Sequence, residues 1–179
     1  WTFPINNFGN NYLDKSEYEK ANEYFKKVLT IKKNDISSYN NLGAVSENLG
    51  RYQEAENYYH KVKEFGGEYL SITLRNLAIL YKNKGNIKGA ENYYLQAIQK
   101  DSTDVDALFG YAELLIDENI NSQKAVGLLK KAIQLEPFIA KGYSEYGSFL
   151  RRYPKNDNDL IKADSLFKIA IKNNPFYTW

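Results

Sequence analysis

The chain has 179 residues, 43% of them hydrophobic and 15% aromatic, enough to build a continuous core and too apolar for a disordered segment. Its 24 basic and 22 acidic residues leave a net charge of +2, which excludes the broad positive field that draws a protein to phosphate backbones, so nucleic acid is not an expected partner. The absence of cysteine excludes a disulfide frame, a thiolate nucleophile and a sulfur-rich zinc site, and no run reaches the roughly 18 apolar residues of a membrane span, so no membrane association is expected.

Five alanines, Ala21, Ala55, Ala90, Ala125 and Ala163, recur at intervals of 34, 35, 35 and 38 residues, a period that belongs to stacked helical hairpins. In chain order, each hairpin opens on a small residue flanked by apolar ones. These are Ile5-x-x-Phe8-Gly9-x-x-Tyr12, Tyr39-x-x-Leu42-Gly43, Leu74-x-x-Leu77-Ala78-x-x-Tyr81, Leu108-x-x-Tyr111-Ala112-x-x-Leu115 and Tyr143-x-x-Tyr146-Gly147-x-x-Leu150. Each then continues with an alanine stripe: Ala21/Phe25/Val28, Ala55/Tyr59/Val62, Ala90/Tyr94/Ala97, Ala125/Leu129/Ala132 and Ala163/Phe167/Ala170. Spacings of three and four put each set on one helical face, so every repeat is two amphipathic helices whose small residues let the backbones approach.

The helix ends fit this division. Gly50 and Gly85 stand where a left-handed C-terminal cap is favoured, Ser16-x-x-Glu19 has the form of a capping box, and Asp35 and Asp104 are expected N-caps. From small residue to alanine there are 12 residues in the first three repeats, 13 in the fourth and 16 in the fifth. The extra length, Arg151 to Asp159, is expected to project as a loop.

These two stripes resemble the tetratricopeptide repeat, whose pattern runs from a large residue through Leu, Gly and Tyr to Ala, Phe and Pro over about 34 residues. The resemblance spans nearly the whole chain. It departs at Ser46, where a tyrosine is usual, and keeps the closing proline only at Pro137 and Pro175. It implies an all-α, right-handed superhelical solenoid of antiparallel helix pairs, with first helices on the concave side. A single array is expected over 1–179, with repeats at about 2–34, 35–69, 70–103, 104–137 and 138–175, and with 176–179 starting a further or capping helix. Because the chain begins inside a repeat and Pro175-Phe176 repeats Pro137-Phe138, more polypeptide is expected on both sides.

The same register marks the residues left over from packing. Asn7, Asn41 and Asn76 each precede the small residue of their helix by two, so their amides should form a row suited to the backbone of an extended peptide, similar to an asparagine ladder known in this family. Asn10, Asn83 and Glu113 are expected on the same groove side. Ile79, Phe109 and Ile116 either receive a partner's apolar anchor there or pack against the adjacent repeat. Against the carboxylate clamp of chaperone-adaptor arrays, the matching positions are Asn6, Asn10, Asn41, Ile72 and Asn76. All three cations are missing, so acidic chaperone tails are not expected at that place. For Arg151, Arg152 and Lys155, a solvated loop is preferred to contact with an acidic partner.

Catalysis finds no support in these residues. His60 is the only histidine, and Gly85 to Gly89 lacks the spacing and terminal Lys-Ser/Thr of a phosphate-binding loop. No catalytic residue, metal site or cofactor is assigned. The expectation is a non-catalytic protein–protein interaction scaffold binding a peptide or partner helix in the concave groove, as part of a larger polypeptide or multiprotein complex. The expected setting is intracellular, in the cytoplasm. Two alternatives stand beside it: the regulatory or substrate-presenting array of an enzyme whose catalytic domain lies outside these residues, and a structural subunit packed edge-on in a large assembly such as a cell-cycle ligase, a ciliary complex or an RNA-processing machine.

Overall fold

The structure, a computed structural model, describes residues 2–176, apart from the side chain of Phe3. Among these residues lie ten helices: α1 (Phe3–Asp14), α2 (Tyr18–Ile31), α3 (Ile36–Asn48), α4 (Tyr52–Phe65), α5 (Leu70–Asn83), α6 (Ile87–Lys100), α7 (Val105–Asp117), α8 (Ser122–Leu135), α9 (Ala140–Arg152) and α10 (Asp157–Asn173). Each odd-numbered helix packs most heavily on the even-numbered one after it, giving five helical hairpins. The chain divides into two compact units, Trp1–Lys100 with three hairpins and Asp101–Trp179 with two.

Inside a hairpin, the small residue of the first helix receives the bulky residue of the second. A methyl group added at Gly9 would lie 2.6 Å from the Phe25 ring, and one at Gly43 only 2.3 Å from the Tyr59 ring. At Gly147 it would meet the Phe167 ring at 3.0 Å. Where alanine stands instead, Ala78 and Ala112 are buried together with Tyr94 and Leu129. All five repeat alanines are buried as well, so the alanines and their small partners form the seam of each hairpin, whereas Phe8 of the first stripe departs from expectation and is 57% exposed.

The first four hairpins turn in the same way. Ser16, Gly50, Gly85 and Asn119 all have left-handed backbones, with φ of 58°, 71°, 74° and 51°. In each, the N–H of the following residue returns to a carbonyl five residues back: Glu17 to Tyr12, Arg51 to Ser46, Asn86 to Tyr81 and Ile120 to Leu115, at 2.8–3.0 Å. These bonds satisfy carbonyls that the ending helix leaves open. Gly50 and Gly85 thus act as expected, whereas Ser16 does not open a capping box. It occupies the left-handed position of the turn, and the N-cap of α2 is Glu17, with no side-chain cap bond. Asp35 and Asp104 do cap α3 and α7, accepting from the backbone N–H of Ser38 (3.1 Å) and Ala107 (2.9 Å).

The fifth turn also differs from expectation. Most of the added residues are helical, since α9 runs to Arg152 and α10 begins at Asp157. The connection shrinks to 153–156, because Asn156 caps α10 by accepting from the N–H of Asp159, while the Asp159 carboxylate accepts from the N–H of Lys155 (2.9 Å). Of the residues expected to open a further helix, Phe176 lies in a turn and 177–179 lie outside the described residues.

Candidate partner-binding surface

In Trp1–Lys100, side chains of the first helices α1, α3 and α5 meet across successive hairpins in a repeated polar contact. The Ser38 hydroxyl donates to Asn6 Oδ1 (3.0 Å), and one repeat later the Thr73 hydroxyl donates to Asn40 Oδ1 (3.1 Å). Both asparagines stand three residues before their small residue, and both hydroxyls stand five before theirs. A buried or half-buried amide satisfied in this way ties one hairpin to the next without leaving an orphan acceptor.

The predicted asparagines sit next to these contacts. Asn41 Nδ2 donates to Asn10 Oδ1 (3.0 Å), and Asn76 Nδ2 donates to Asn40 Oδ1 (3.3 Å). Asn83 Nδ2 donates to Glu47 Oε1 (2.8 Å), and Asn7 is solvent-exposed. The structure therefore joins Asn10 to Asn41 directly, joins Asn76 to Asn40, a further groove-side asparagine of the same register, and joins Asn83 to Glu47, a partner the sequence did not suggest. The signal for Asn40 was present: Asn6 and Asn40 share a register, as do Ser38 and Thr73. Ile79 lies on α5 between Asn76 and Asn83 and is 37% exposed, so its side chain is open to solvent.

Two carboxylates on this side are tuned in opposite directions. At Asp35, burial pushes the carboxyl up, but Lys32 at 2.9 Å and the Ser38 hydroxyl and N–H outweigh it and hold it below its ordinary value. At Glu47, burial dominates, and the donors Asn83 and Tyr59 do not offset it, so the carboxyl is raised. Away from this face, where α4 meets the end of α5, Glu56 accepts from the Tyr81 hydroxyl (2.6 Å) and Lys84 (2.7 Å), with His60 Nε2 at 3.9 Å. Burial opposes ionisation of Glu56, but Lys84 and Tyr81 prevail and depress its pKa.

The second unit, Asp101–Trp179, carries the other three predicted residues on α7. Glu113 is exposed and Ile116 half-buried. Phe109 is only 1% exposed, so of its two expected roles the groove anchor falls and packing on the adjacent repeat stands: its ring is packed against Gly142, where an added methyl would lie 2.9 Å away. Phe109 and Gly142 stand at the register positions that Asn40 and Thr73 occupy in the first unit, so one site hosts a polar contact in one unit and an aromatic-on-glycine contact in the other.

Among the described residues, no group of three or more His, Cys, Asp or Glu is arranged to hold a metal ion, and no helix is long and apolar enough to cross a membrane. The geometry defines a class: helical hairpins repeated in register, their first helices joined through side chains that differ from one repeat to the next. Models of the tetratricopeptide repeat match residues 5–35 and 35–101, and the chain belongs to that family. The human protein O-mannosyl-transferase TMTC1 is 27% identical over 170 residues, which cover 94% of this chain but 19% of that protein. The chain thus spans about a fifth of the length of this curated relative. Among solved structures, PilF of Pseudomonas aeruginosa matches with a TM-score of 0.79 at 14% identity, covering 96% of this chain and 76% of that one. YrrB, described as a repeat protein with an unusual peptide-binding site, matches with a TM-score of 0.63 at 21% identity, covering 99% and 88% of the two chains. These likenesses establish an all-helical repeat fold of the kind that serves as a protein-interaction scaffold.

Proposed function

We propose that the chain binds an extended protein segment along the first-helix face of Trp1–Lys100, with asparagine amides contacting the segment's backbone. The observation that carries this reading is the pair of bonds from Asn41 to Asn10 and from Asn76 to Asn40. Each bond uses one N–H of an amide that has two, leaving the second N–H and the carbonyl oxygen for a ligand. Each also fixes the amide's direction beforehand, which lowers the entropy lost on binding. Ile79, exposed beside Asn76, offers an apolar contact to an adjoining side chain. Asn7, Asn10 and Asn83 remain members of the proposed surface, whereas Phe109, Glu113 and Ile116 belong to the second unit and lie outside it. The peptide-binding description of YrrB supports the same mode of recognition.

The test is capture of partners from a native extract by the parent chain and by Asn41→Ala/Asn76→Ala/Ile79→Ser, after circular dichroism shows equal helix content. Selective loss of a partner from the variant is expected. Identical captured sets would remove recognition from this face.

A second reading follows from the match to TMTC1 over 94% of this chain: the repeats present protein substrates to a transferase domain elsewhere in a longer polypeptide. It uses the same face and is separated from the first by sequencing the gene on either side.

A further inference from the structure

We propose that the second unit, Asp101–Trp179, carries its own docking cleft for an acidic protein segment bearing one large apolar side chain. The cleft, of about 320 Å³, lies between the first half of α8, the end of α9 and the 153–156 connection. Val126, Gly127 and Phe149 give it an apolar surface, and Lys130 and Lys155 bring positive charge to it. The volume suits a single leucine or phenylalanine side chain with its neighbouring backbone, since it lies at the small end of the range for ligand pockets.

Gly127 is the first observation that points to a ligand. It lies within α8, where glycine is less favourable than alanine because it loses more backbone freedom on folding. Its backbone is helical, so no turn demands it, and a methyl group added there would meet nothing within 4 Å. At the same register, two residues after the repeat alanine, the other second helices carry Glu23, Asn57, Asn92 and Ser165. Packing within the unit does not account for glycine here, whereas keeping the cleft open does.

Charge is the second. Among the described residues, two cations, Lys130 and Lys155, line the cleft, and no carboxylate does. Lys130 lies 6.0 Å from the Tyr146 ring. A ring face attracts a cation without neutralising it. The Asp159 carboxylate, in the first turn of α10, accepts from the backbone N–H of Lys155 in the connection. An apolar cleft with two lysines and no carboxylate among its described lining residues selects an acidic segment that delivers an apolar anchor, with the anchor giving affinity and the charges giving on-rate and orientation.

The probe is a random peptide library displayed on phage, selected on the 179-residue chain, with the enriched peptides resynthesised and their affinities measured by fluorescence anisotropy. Enriched sequences are expected to place Asp and Glu around one large apolar residue. Gly127→Leu, which fills the cleft, should weaken them by about tenfold or more, and Lys130→Glu/Lys155→Glu should do the same with a reduced salt dependence. Gly127→Leu is expected to melt no lower than the parent, because the space beside Gly127 is open. Asn41→Ala/Asn76→Ala should leave the affinity unchanged, which separates this site from the first-helix face. The proposal is overturned if no peptides enrich, if the winners lack acidic residues, if Gly127→Leu binds them as the parent does, or if only the asparagine variant loses them.

Discussion

Gly43→Ala offers the most direct measure of what joins the two helices of a hairpin. The added methyl would sit 2.3 Å from Tyr59 Cε1, where ordinary contacts begin at 3.4 Å, so ring or helix must retreat by about 1.1 Å, the difference between the two. Tyr59 is buried and its hydroxyl donates to Glu47, so a retreat also strains that bond. Overpacking of this kind costs about 1–3 kcal/mol, against which alanine returns about 0.5–1 kcal/mol of helix propensity. Gly127→Ala supplies the control, since it gains the same propensity with nothing within 4 Å to strike. The two variants should therefore differ by about 1–3 kcal/mol, with Gly43→Ala the less stable. Urea unfolding followed by circular dichroism gives the totals, and amide exchange shows whether the loss is centred on α3 and α4, as a chain of neighbour-coupled repeats requires. Tyr59→Leu added to Gly43→Ala should recover part of the loss, because it recreates the Ala112 and Leu129 pairing of the fourth hairpin, in which both residues are buried. Equal stabilisation by Gly43→Ala and Gly127→Ala would refute the knob-in-hole account.

Ser16→Gly should stabilise the first hairpin by about 0.5–1 kcal/mol, measured as a rise in the urea midpoint, because serine holds φ of 58° where glycine meets no steric penalty. Phe109→Ala should cost about 3–5 kcal/mol by opening a cavity against Gly142, so its thermal melt separates core from surface. Glu56→Gln should be less stable than the parent at neutral pH. Since the Glu56 pKa is depressed on folding, its contribution is present above its ordinary 4.5 and is lost as pH falls through the folded value, so the gap closes in acid. Glu47 has the opposite sign: its raised pKa means that its charged form is penalised by folding, and Glu47→Gln should lose relative stability as the parent's carboxyl protonates.

The periodic features were legible because each depends on residues a few positions apart. The buried alanines, the left-handed glycines at Gly50 and Gly85, and the aspartate caps at Asp35 and Asp104 all express local backbone geometry in residue type. Ser16 misled because serine suits both an N-cap and, less well, a left-handed turn, and the tightness of a turn is set by how the two helices pack. The fifth turn misled because its polar residues are equally at home in the first turn of a helix once Asn156 provides a cap. Phe109 was undecidable from its own helix. Whether that position turns inward depends on the residue 33 places later: glycine at Gly142 admits a ring, while Thr73 meets the polar Asn40. The Glu47 partner of Asn83 escaped for the same reason, being set by the neighbouring hairpin.

The contacts of Asn6 with Ser38, Asn40 with Thr73 and Phe109 with Gly142 also bear on how such a chain can change by duplication or exchange of its parts. Each contact draws one member from the first helix of one hairpin and the other from the first helix of the next. A hairpin copied or transplanted on its own would carry half of two mismatched pairs, an amide facing a glycine or a ring facing a hydroxyl. The segment that can be moved intact therefore runs from the middle of one first helix to the middle of the following one, and the order of the modules is written at their junctions.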